Sequence, residues 1–347
     1  MTMTGRRVLL TGATGFVGTA LSSRLLELGA HVVCVSRTPR ESQHARVEWF
    51  NGDVEDPDAM LRATRGVDAV FHVGGMVGHY GLRSSYLRAN VLGTQNILAG
   101  ARKNGVRSLV FTSTPSVIAD GSPHFDVDET HPYSRRYQSP YSESKALAEQ
   151  DVLRANGPGL GTVAIRPHMI WGPGPSHWVG GVRKLSRKGM LYQMGKGRNR
   201  VGMTYMDDCV DAHIAALHAL ESDKTVGGRA FFIHGGTPVF LWQWVRELTA
   251  ALSLPSIRGT LPTGLMKVAA GVCDGLVVVS RGSLHFPISR YLMTEMTTDH
   301  YSCIDAARKN LGYEPKISVA GGLARLAEAE RIAGLVQRPS VEPALTS

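Results

Sequence analysis

The chain has 347 residues, of which 43% are hydrophobic and 19% charged, a composition that excludes a disordered polypeptide and fits one large domain or two modest ones. Its formal net charge of +9 suggests a nucleic-acid partner, and residues 183–200 carry seven basic side chains and no acidic one. That segment has one aromatic residue, Tyr192, and no recognised nucleic-acid module surrounds it, so we expect a solvated basic face and no nucleic-acid partner.

The first predicted element is a short buried strand, Arg7 to Thr11, which runs into a glycine-rich turn and then into a helix over residues 19–28. The turn reads G-x-x-G-x-x-G rather than G-x-G-x-x-G. Glycines at a strand-to-helix turn let the backbone approach a pyrophosphate, which then sits at the helix N-terminus. We therefore predict a dinucleotide site whose contacts come from the turn itself: Gly12, Thr14, Gly15, Phe16, Val17 and Gly18.

The second predicted strand, 31–36, bears on the choice of dinucleotide. NAD-specific sites place an Asp or Glu at the end of this strand to bind the ribose 2′-hydroxyl. Between residues 19 and 40 the one acid is Glu27, which lies in the helix, and the strand ends instead in Ser36 and Arg37. A hydroxyl and a guanidinium suit a 2′-phosphate, so we expect NADP(H) in preference to NAD(H). Stacking of Arg37 on the adenine is the alternative.

Strand-like and helix-like segments alternate through the rest of the first half. Strands are expected near 46–51, 68–73, 107–113 and 161–166, and helices over 57–65, 84–104 and 140–156. This alternation predicts an α/β fold with a parallel sheet covered on both faces. The second half is less regular and contains Gly/Pro-rich turns.

The last of these helices carries a candidate proton donor. Ser139 is a good helix cap, and Pro140 suits the first helical position. Tyr141 and Lys145 are four residues apart and therefore share one face of the helix. A nearby cation lowers the pKa of a phenol, which eases the proton transfer that interconverts a ketone and an alcohol. Alone, the spacing also suits an aromatic ring packed under a solvated lysine, but the glycine-rich turn supports the catalytic interpretation.

The turn and the Tyr141/Lys145 pair, in this order, resemble the extended short-chain dehydrogenase/reductases, and the resemblance extends from Arg7 to about Gly322. It implies a Rossmann-type doubly wound parallel sheet with a smaller C-terminal α/β substrate domain. The expected division is an NADP-binding domain at 1–167 with returning segments near 200–235, a mainly substrate-binding domain at 168–336 and a frayed tail at 337–347.

The same resemblance implies roles for individual residues. Thr114, after the fifth strand, takes the place of the catalytic hydroxyl, with Ser113 as the alternative because the register could shift by one. Asn90 matches the asparagine that helps hold the active-site lysine through water. Tyr141 is then the proton donor, and Lys145 binds the nicotinamide ribose. The other implied cofactor contacts are Asp53 and Val54 beside the adenine, and Arg166.

Two segments bear on the substrate. Residues 166–174 are similar to the segment after the sixth strand in 3β-hydroxysteroid dehydrogenases and decarboxylating sterol-4-carboxylate dehydrogenases, while 112–117 and 170–174 are most similar to bacterial 2-alkyl-3-oxoalkanoate reductases. Those reductases act on a ketone flanked by long alkyl chains. His168 is a candidate contact for a substrate carboxylate, although a lone histidine in a loop is more often polar surface.

Three places depart from the family pattern. His72-Val73-Gly74-Gly75 replaces a small-residue run that contains alanine, which would widen the space beside the nicotinamide. Gly202 stands where relatives often have Asp. Nucleotide-sugar members carry a phosphate-binding Arg at the position of Val201, although the adjacent Arg200 could substitute for it.

Residues 265–279 are apolar except for Lys267 and Asp274, and the segment is shorter than the 20 or so residues that span a bilayer. A core helix, a lid over an apolar pocket and a helix resting on a membrane surface are the three interpretations. The N-terminus lacks the pattern of a signal peptide. The cysteines have no paired spacing for zinc or disulfides, so we expect a reducing, cytoplasmic compartment and no metal: Cys34, Cys209, Cys273 and Cys303.

We therefore expect an NADP(H)-dependent oxidoreductase that interconverts a ketone and a secondary alcohol on a small hydrophobic substrate. That substrate is a 3-oxo acid with long alkyl chains or a 3-keto/3β-hydroxy sterol. The expected assembly is a homodimer, with peripheral contact to a membrane or a pathway enzyme as a further option. The alternatives are a nucleotide-sugar epimerase or reductase, and a non-catalytic NADP-binding regulatory protein, which the intact set of Tyr141, Lys145 and Thr114 argues against.

Overall fold

A computed structural model gives the fold, and it describes residues 2–78, 81–280, 284, 286 and 288–334. The tail expected at 337–347 lies outside the described residues. Within them, the strands are β1 (Arg7–Thr11), β2 (His31–Ser36), β3 (Val47–Asn51), β4 (Ala69–His72), β5 (Ser108–Thr112), β6 (His124–Val127), β7 (Gly161–Pro167), β8 (Ile170–Trp171), β9 (Gln193–Met194), β10 (Arg200–Val201), β11 (Thr204–Tyr205), β12 (Arg229–Ile233), β13 (Val239–Phe240), β14 (Thr260–Leu261) and β15 (His300–Ser302).

The helices of the same described residues are α1 (Phe16–Glu27), α2 (Pro57–Ala63), α3 (Arg83–Tyr86), α4 (Gly93–Lys103), α5 (Pro140–Arg154), α6 (His177–Arg187), α7 (Met206–Ser222), α8 (Leu241–Ala251), α9 (Thr263–Val279), α10 (Arg290–Thr297), α11 (Asp305–Leu311) and α12 (Val319–Ile332). The strands predicted in the first half match β2, β3, β4, β5 and β7 to within one residue at either end.

Seven parallel strands form the central sheet, in the order β12-β7-β5-β4-β1-β2-β3. The apolar strands at its centre are buried, and Val8, Leu9 and Leu10 of β1 have no exposed surface. Such continuous apolar runs are typical of parallel sheets with helices on both faces. One face packs against α1, α7 and α11, and the other packs against α2, α4 and α5. The predicted Rossmann-type doubly wound sheet is confirmed.

The strand order reverses between β1 and β4, which pair directly with each other. Open α/β sheets bind ligands beyond the carboxyl ends of the strands at such a switch point. The glycine-rich turn follows β1 and the segment Val73–Gly75 follows β4, so both lie at this crevice.

The C-terminal half adds smaller sheets and a further core. Among the described strands, one mixed sheet has the order β13-β10-β15-β6, and two short sheets pair β11 with β8 and β14 with β9. The further core includes residues of α6, α8 and α12 around Trp171 and Trp244, whose rings meet edge to face at 5.4 Å. Strand β12 returns to the central sheet beside β7. The domain division at residues 167 and 168 stays a prediction.

The helix predicted over 84–104 is present, but its hydrogen-bonding pattern changes along its length. It consists of α3, a π-helical segment (Leu87–Leu92) and α4. Short π-helical segments are rare and occur frequently at functional sites. Asn90 lies in this one.

The apolar segment 265–279 forms most of α9, which packs beside α10. Leu265, Val268 and Val272 are each more than half exposed, whereas Ala270 is fully buried. The core-helix interpretation is therefore wrong for the outer face of α9. Across the described part of the chain, no helix combines the length and the apolar character needed to cross a membrane.

Candidate active site

The turn between β1 and α1 has the geometry of an anion site. Gly12 has a φ of +71°, which favours glycine, and its carbonyl accepts a hydrogen bond from the Gly15 N–H at 2.9 Å. A Cβ on Gly18 would collide with that same carbonyl oxygen. Gly15 precedes α1 and provides no side-chain cap, so a pyrophosphate can accept from the first N–H groups of the helix. A dinucleotide therefore fits this turn, which also contains Thr14, Phe16 and Val17.

The residues expected beside the adenosine follow β2 and β3 at the same edge of the sheet. Arg37 is exposed to solvent, where a 2′-phosphate could reach it. Ser36 Oγ donates to the carbonyl of Thr38 at 2.8 Å, so its proton is already used within the turn. Asp53 and Val54 lie one strand further, where Asp53 Oδ1 accepts from the Glu55 N–H and the carbonyl of Val54 accepts from Asn96 Nδ2 of α4. Of these residues, Arg37 has the side chain best placed to read a phosphate.

Helix α5 begins as predicted, with Ser139 as its cap. Lys145 is buried, donates through Nζ to the carbonyl of Thr112 at 2.5 Å and lies 3.9 Å from the centre of the Phe111 ring. Burial lowers the pKa of this ammonium to about 7. These contacts hold Lys145 at the carboxyl end of β5.

Tyr141 is partly buried and shares a hydrogen bond with Thr114. Burial raises the pKa of its phenol to about 12, the hydrogen bond with Thr114 opposes that rise, and the charges of Glu295 and Tyr86 add to it. The sequence predicts the reverse, a pKa lowered by Lys145. In the protein alone that expectation is wrong, because burial disfavours the charged forms of the phenol and of the ammonium.

The structure distinguishes the two candidate hydroxyls that follow β5. Thr114 Oγ1 bonds with Tyr141, donates to Ser116 Oγ at 3.1 Å and accepts from the Ser116 N–H at 3.2 Å. Ser113 Oγ is buried and has no hydrogen-bond partner among the described residues, while its N–H donates to the carbonyl of Ile165 at 2.7 Å. Thr114 is therefore the hydroxyl that meets Tyr141.

Asn90 is buried in the π-helical segment and binds the chain on two sides. Its Nδ2 donates to the carbonyl of Met76 at 3.0 Å and to Ser144 Oγ at 2.8 Å, while its Oδ1 accepts from the Met76 N–H at 2.7 Å. A Cβ on Gly75 would lie 3.0 Å from Asn90 Oδ1 and 4.0 Å from Lys145 Nζ. Asn90, Gly75 and Lys145 thus meet at one place, as the predicted role of Asn90 requires.

A row of buried hydrogen bonds connects the glycine-rich turn to Asn90. Thr11 Oγ1 lies 2.7 Å from Nδ1 of His72, His72 Nε2 lies 2.9 Å from Thr94 Oγ1, and Thr94 Oγ1 donates to the carbonyl of Asn90 at 2.6 Å. Since Thr94 donates its proton to Asn90, His72 must donate through Nε2 and accept at Nδ1. Burial, aided by the charge of Lys145, lowers the pKa of His72 to about 3, so the row stays neutral.

The glycines after His72 allow close packing, and the wider space that we expect them to leave beside the nicotinamide stays a prediction. The N–H of Gly74 donates to Thr11 Oγ1 at 3.0 Å, and a Cβ on Gly12 would lie 2.7 Å from the backbone of Gly74. The small residues therefore let the two loops pack closely against each other.

Arg166 is placed apart from the other predicted cofactor residues. It is buried in β7, and its guanidinium binds both carboxylate oxygens of Glu149, at 2.6 and 3.0 Å. The rings of Tyr133 and Phe232 flank the guanidinium at 5.6 and 4.9 Å. These contacts make Arg166 part of a buried ion pair, and they do not support its assignment to the cofactor.

His168 is buried rather than part of a polar surface. Its Nε2 lies 2.9 Å from Nδ1 of His300, whose Nε2 donates to the carbonyl of Glu295 at 2.8 Å. A Cβ on Gly202 would lie 2.8 Å from Nδ1 of His168, so glycine at this position makes room for the imidazole. Three side chains here could each offer one ligand atom to a metal, and these atoms lie within 4.8 Å of one another: His168, Glu295 and His300. The two imidazoles, however, already hydrogen-bond to each other.

Sequence reasoning missed the contribution of α10 to this site. Ser116 Oγ lies 2.8 Å from the Oη of Tyr291, and Glu295 follows Tyr291 by one helical turn. Both residues are far along the chain from Tyr141, and helix α10 has no recognisable motif. The signal that could have pointed to them is a lone acid, Glu295, in a helix whose other polar residues are hydroxyl-bearing or basic.

Comparisons with known proteins agree with this arrangement. The chain matches the 3-beta hydroxysteroid dehydrogenase/isomerase family over residues 9–262. It is 38% identical to a 2-alkyl-3-oxoalkanoate reductase of Stenotrophomonas maltophilia (strain K279a), over 92% of this chain and 98% of that protein. It is 29% identical to the decarboxylating sterol-4-alpha-carboxylate 3-dehydrogenase of Mus musculus, over 93% of this chain and 91% of that protein.

Solved structures share the fold. The structure of MoeE5 in complex with UDP-glucose and NAD superposes with a TM-score of 0.72 at 24% sequence identity, over 94% of this chain and 99% of that one. The family resemblance read from the glycine-rich turn and the Tyr141/Lys145 pair is confirmed by the family match. The chain belongs to the 3-beta hydroxysteroid dehydrogenase/isomerase family and is an NAD(P)-dependent dehydrogenase or reductase.

Proposed function

We propose that this protein uses NADPH to reduce a ketone flanked by alkyl chains, with 3-oxo acids as its substrate class. The observation that carries the proposal is the contact between the hydroxyls of Thr114 and Tyr141 at the carboxyl edge of the sheet, with Lys145 on the same helix as Tyr141. Two hydroxyls in contact can both bond to one substrate oxygen. The bacterial relative named as a 2-alkyl-3-oxoalkanoate reductase supports the substrate class.

The dinucleotide, when bound at the glycine-rich turn, supplies the hydride. Thr114 Oγ1 and Tyr141 Oη hold the carbonyl oxygen of the substrate, and Tyr141 gives its proton to that oxygen as negative charge develops on it. Lys145, held by the carbonyl of Thr112, supplies positive charge beside the phenolate that remains. Asn90 holds the loop at Met76 and Gly75, which lies next to Lys145.

The region around β10 favours an apolar substrate over a nucleotide sugar. Val201 is fully buried. The guanidinium of Arg200 lies 5.0 Å from the centre of the Tyr301 ring, and its Nε lies 3.5 Å from Asp299. Arg200, which could replace the missing phosphate-binding arginine, is therefore already engaged within the protein.

The test is to follow NADPH oxidation by the purified protein with 3-oxo acids of increasing alkyl length, a 3-ketosteroid and UDP-glucose. Each buried CH₂ contributes about 0.8 kcal/mol of transfer free energy, of which only part appears as affinity. We expect kcat/KM to rise with chain length and then to level off, with no turnover of UDP-glucose. A flat response to chain length, or conversion of the sugar nucleotide, would contradict the proposal.

Helix α9 provides a matched pair of variants for the same assay. Asp274 Oδ2 accepts from the N–H of Arg290 at 3.1 Å, which joins α9 to the helix that carries Tyr291. If the pocket extends to α9, Leu276→Glu should reduce kcat/KM for long substrates more than for short ones. Leu265→Glu, at the more exposed first turn, is the control and should leave the chain-length profile unchanged.

A further inference from the structure

Four hydroxyl groups lie in a row that starts at the proton donor. Tyr141 bonds with Thr114, Thr114 Oγ1 is 3.1 Å from Ser116 Oγ, and Ser116 Oγ is 2.8 Å from the Oη of Tyr291. Each hydroxyl has one proton and two acceptor lone pairs, so it can accept from one neighbour and donate to the next. A row of this kind can pass a proton in either direction.

The row ends beside a buried carboxyl group. Glu295 follows Tyr291 by four residues on α10, so both side chains share one face of that helix. Glu295 and Ser116 line the same cavity, whose volume is about 30 Å³. A water molecule needs about 10–15 Å³ and two or more polar partners, so this cavity can hold water between Ser116 and the carboxyl.

The titratable groups around Glu295 come from several elements. His300 of β15 has its Nε2 3.9 Å from Glu295 Oε2, and His168 and His124 line the same cavity. Asp120 Oδ1 lies 3.9 Å from Nε2 of His124. The charge of Glu295 also acts on Tyr141 and Tyr291. Burial raises the pKa of Glu295, and the charge of His300 opposes that rise, so the carboxyl holds its proton nearer to neutral pH than an exposed glutamate does.

We propose that Glu295 returns a proton to Tyr141 after each reduction, through water in the cavity and the hydroxyls of Ser116 and Thr114. The inference rests on the proposed function, in which Tyr141 has given its proton to the alkoxide and is left as a phenolate. Thr114 then passes its proton to Tyr141, Ser116 passes one to Thr114, and water in the cavity passes one to Ser116 and takes one from Glu295. Glu295 becomes a carboxylate and regains a proton from solvent. It acts through Tyr141 and is a positioning residue, not a catalytic one.

The first experiment replaces the carboxyl while keeping its size. Glu295→Gln retains the volume and the hydrogen-bonding atoms but cannot titrate. We expect kcat of this variant to fall by roughly tenfold or more and its pH profile to lose one ionisation. The matched control is Glu143→Gln, which removes a carboxylate two residues from Tyr141 that pairs with the exposed Arg83, and its pH profile should match the wild type. A wild-type pH profile of kcat in Glu295→Gln would overturn the proposal.

The second experiment interrupts the row without changing any charge. Ser116→Ala should slow kcat by a similar factor, and Ser116→Thr, which retains a hydroxyl, should restore it. Thermal melting and NADPH binding check that each variant is folded. If Ser116→Ala keeps the wild-type kcat, the row does not carry the proton and the proposal is wrong.

A third measurement needs no substrate, so it separates this proposal from the proposed function. The phenolate absorbance of Tyr141, taken as the difference between the protein and its Tyr141→Phe variant, is titrated with and without Glu295→Gln. We expect the phenolate to appear at lower pH in Glu295→Gln, because the opposing charge has been removed. If the wild type reduces none of the substrates, the proposed function is wrong. If the phenolate titration is the same with and without Glu295→Gln, the link between Glu295 and Tyr141 is wrong, whatever the substrate assay shows.

Discussion

Tyr141 illustrates how strongly the chemistry of one residue depends on its surroundings. A lysine one turn away suggests an acidic phenol, yet burial raises the pKa of Tyr141 to about 12. The phenol is therefore protonated at neutral pH. It can give its proton to a stronger base, such as the alkoxide formed from a ketone, without first having to acquire one. The protonated form of Tyr141 is the one that ketone reduction requires, so the protein without cofactor favours the reductive direction.

Replacing Tyr141 with phenylalanine should remove turnover and leave cofactor binding nearly intact. A positioned proton donor contributes about 10²–10⁴-fold to the rate, and the phenyl ring keeps the packing. Lys145→Met should lose a similar factor in kcat and also bind NADPH more weakly, because this side chain has two roles. Steady-state rates and NADPH fluorescence titrations measure both effects. Tyr137→Phe is the control, and retention of more than about half the rate in Tyr141→Phe would exclude Tyr141 as the acid.

Cofactor preference should depend more on Arg37 than on Ser36, because Ser36 already donates its proton to Thr38. A charge-assisted hydrogen bond is worth about 1.5–3 kcal/mol, so Arg37→Ile should lower the NADPH/NADH ratio of kcat/KM by roughly ten- to a hundredfold. Adding Ser36→Asp should shift the preference further, by repelling the 2′-phosphate. Arg40→Ile is the control, since that guanidinium lies over the Trp49 ring at 5.3 Å. A wild-type enzyme that uses NADH better than NADPH would contradict the assignment.

At the scale of elements, the close approach of β1, α1 and the loop after β4 forms the cofactor crevice. Glycine at positions 12, 18 and 74 allows this approach, because a Cβ at any of them would come within about 3 Å of neighbouring atoms. Helix α5 then brings Tyr141 to the carboxyl end of β5, and the π-helical segment brings Asn90 beside Lys145 through Gly75. The site thus depends on how closely these elements pack.

The glycine-rich turn should not tolerate even one added methyl group. Gly18→Ala would place a Cβ against the carbonyl of Gly12, so the turn must shift, at a typical cost of about 1–3 kcal/mol of stability together with loss of NADPH affinity. Gly275→Ala is the matched control, because a Cβ there meets nothing within 4 Å and alanine favours the helix by up to about 1 kcal/mol. Urea unfolding and NADPH binding measure the two effects. Unchanged stability and affinity in Gly18→Ala would show that the turn can relax.

At the scale of the whole molecule, buried neutral histidines connect separate parts of the fold. His72 bonds with Thr11 and Thr94 on either side. His213 of α7 lies 2.7 Å from Thr112 Oγ1 through Nε2 and 2.7 Å from the carbonyl of Cys209 through Nδ1. Burial lowers the pKa of His72 to about 3 and that of His213 to about 4. Protonating either imidazole would remove the nitrogen that accepts from Thr11 in His72 or from Thr112 in His213, and it would leave a buried charge.

Acid should therefore destabilise this protein over a defined range. Above the ordinary histidine pKa of about 6.5, neither the folded nor the unfolded protein binds a proton at these imidazoles. Below that pH the unfolded protein binds the proton, whereas the folded protein does not until about pH 4 for His213 and about pH 3 for His72. The free energy of unfolding should thus fall as the pH drops from about 6.5, by about 1.4 kcal/mol per pH unit for each such histidine. Urea unfolding at several pH values measures this slope.

His213→Gln should reduce the slope of the unfolding free energy against pH by the contribution of one histidine, since glutamine can form hydrogen bonds but does not titrate. His218, which is exposed on the same helix, supplies the control, and His218→Gln should leave the slope as it is in the wild type. An unchanged slope in His213→Gln would mean that the imidazole is charged in the folded protein.

The sequence by itself determined the parts of this protein whose signals act over a few residues. Apolar runs between glycines located the strands of the first half, because a strand buried on both faces needs such a run. The spacing of glycines after β1 identified the dinucleotide turn, and Ser139 with Pro140 located the start of α5. The shared helical face of Tyr141 and Lys145 follows from their spacing alone.

The tertiary structure alone decided which groups meet and which are removed from water. The choice of Thr114 over Ser113 depends on how the end of β5 lies against α5, and the pairing of Arg166 with Glu149 depends on the packing of β7 on that helix. Glu295 reaches the site because distant segments fold together. Desolvation is then the largest influence on the pKa of Tyr141, and no local spacing in a sequence reports how deeply a group is buried.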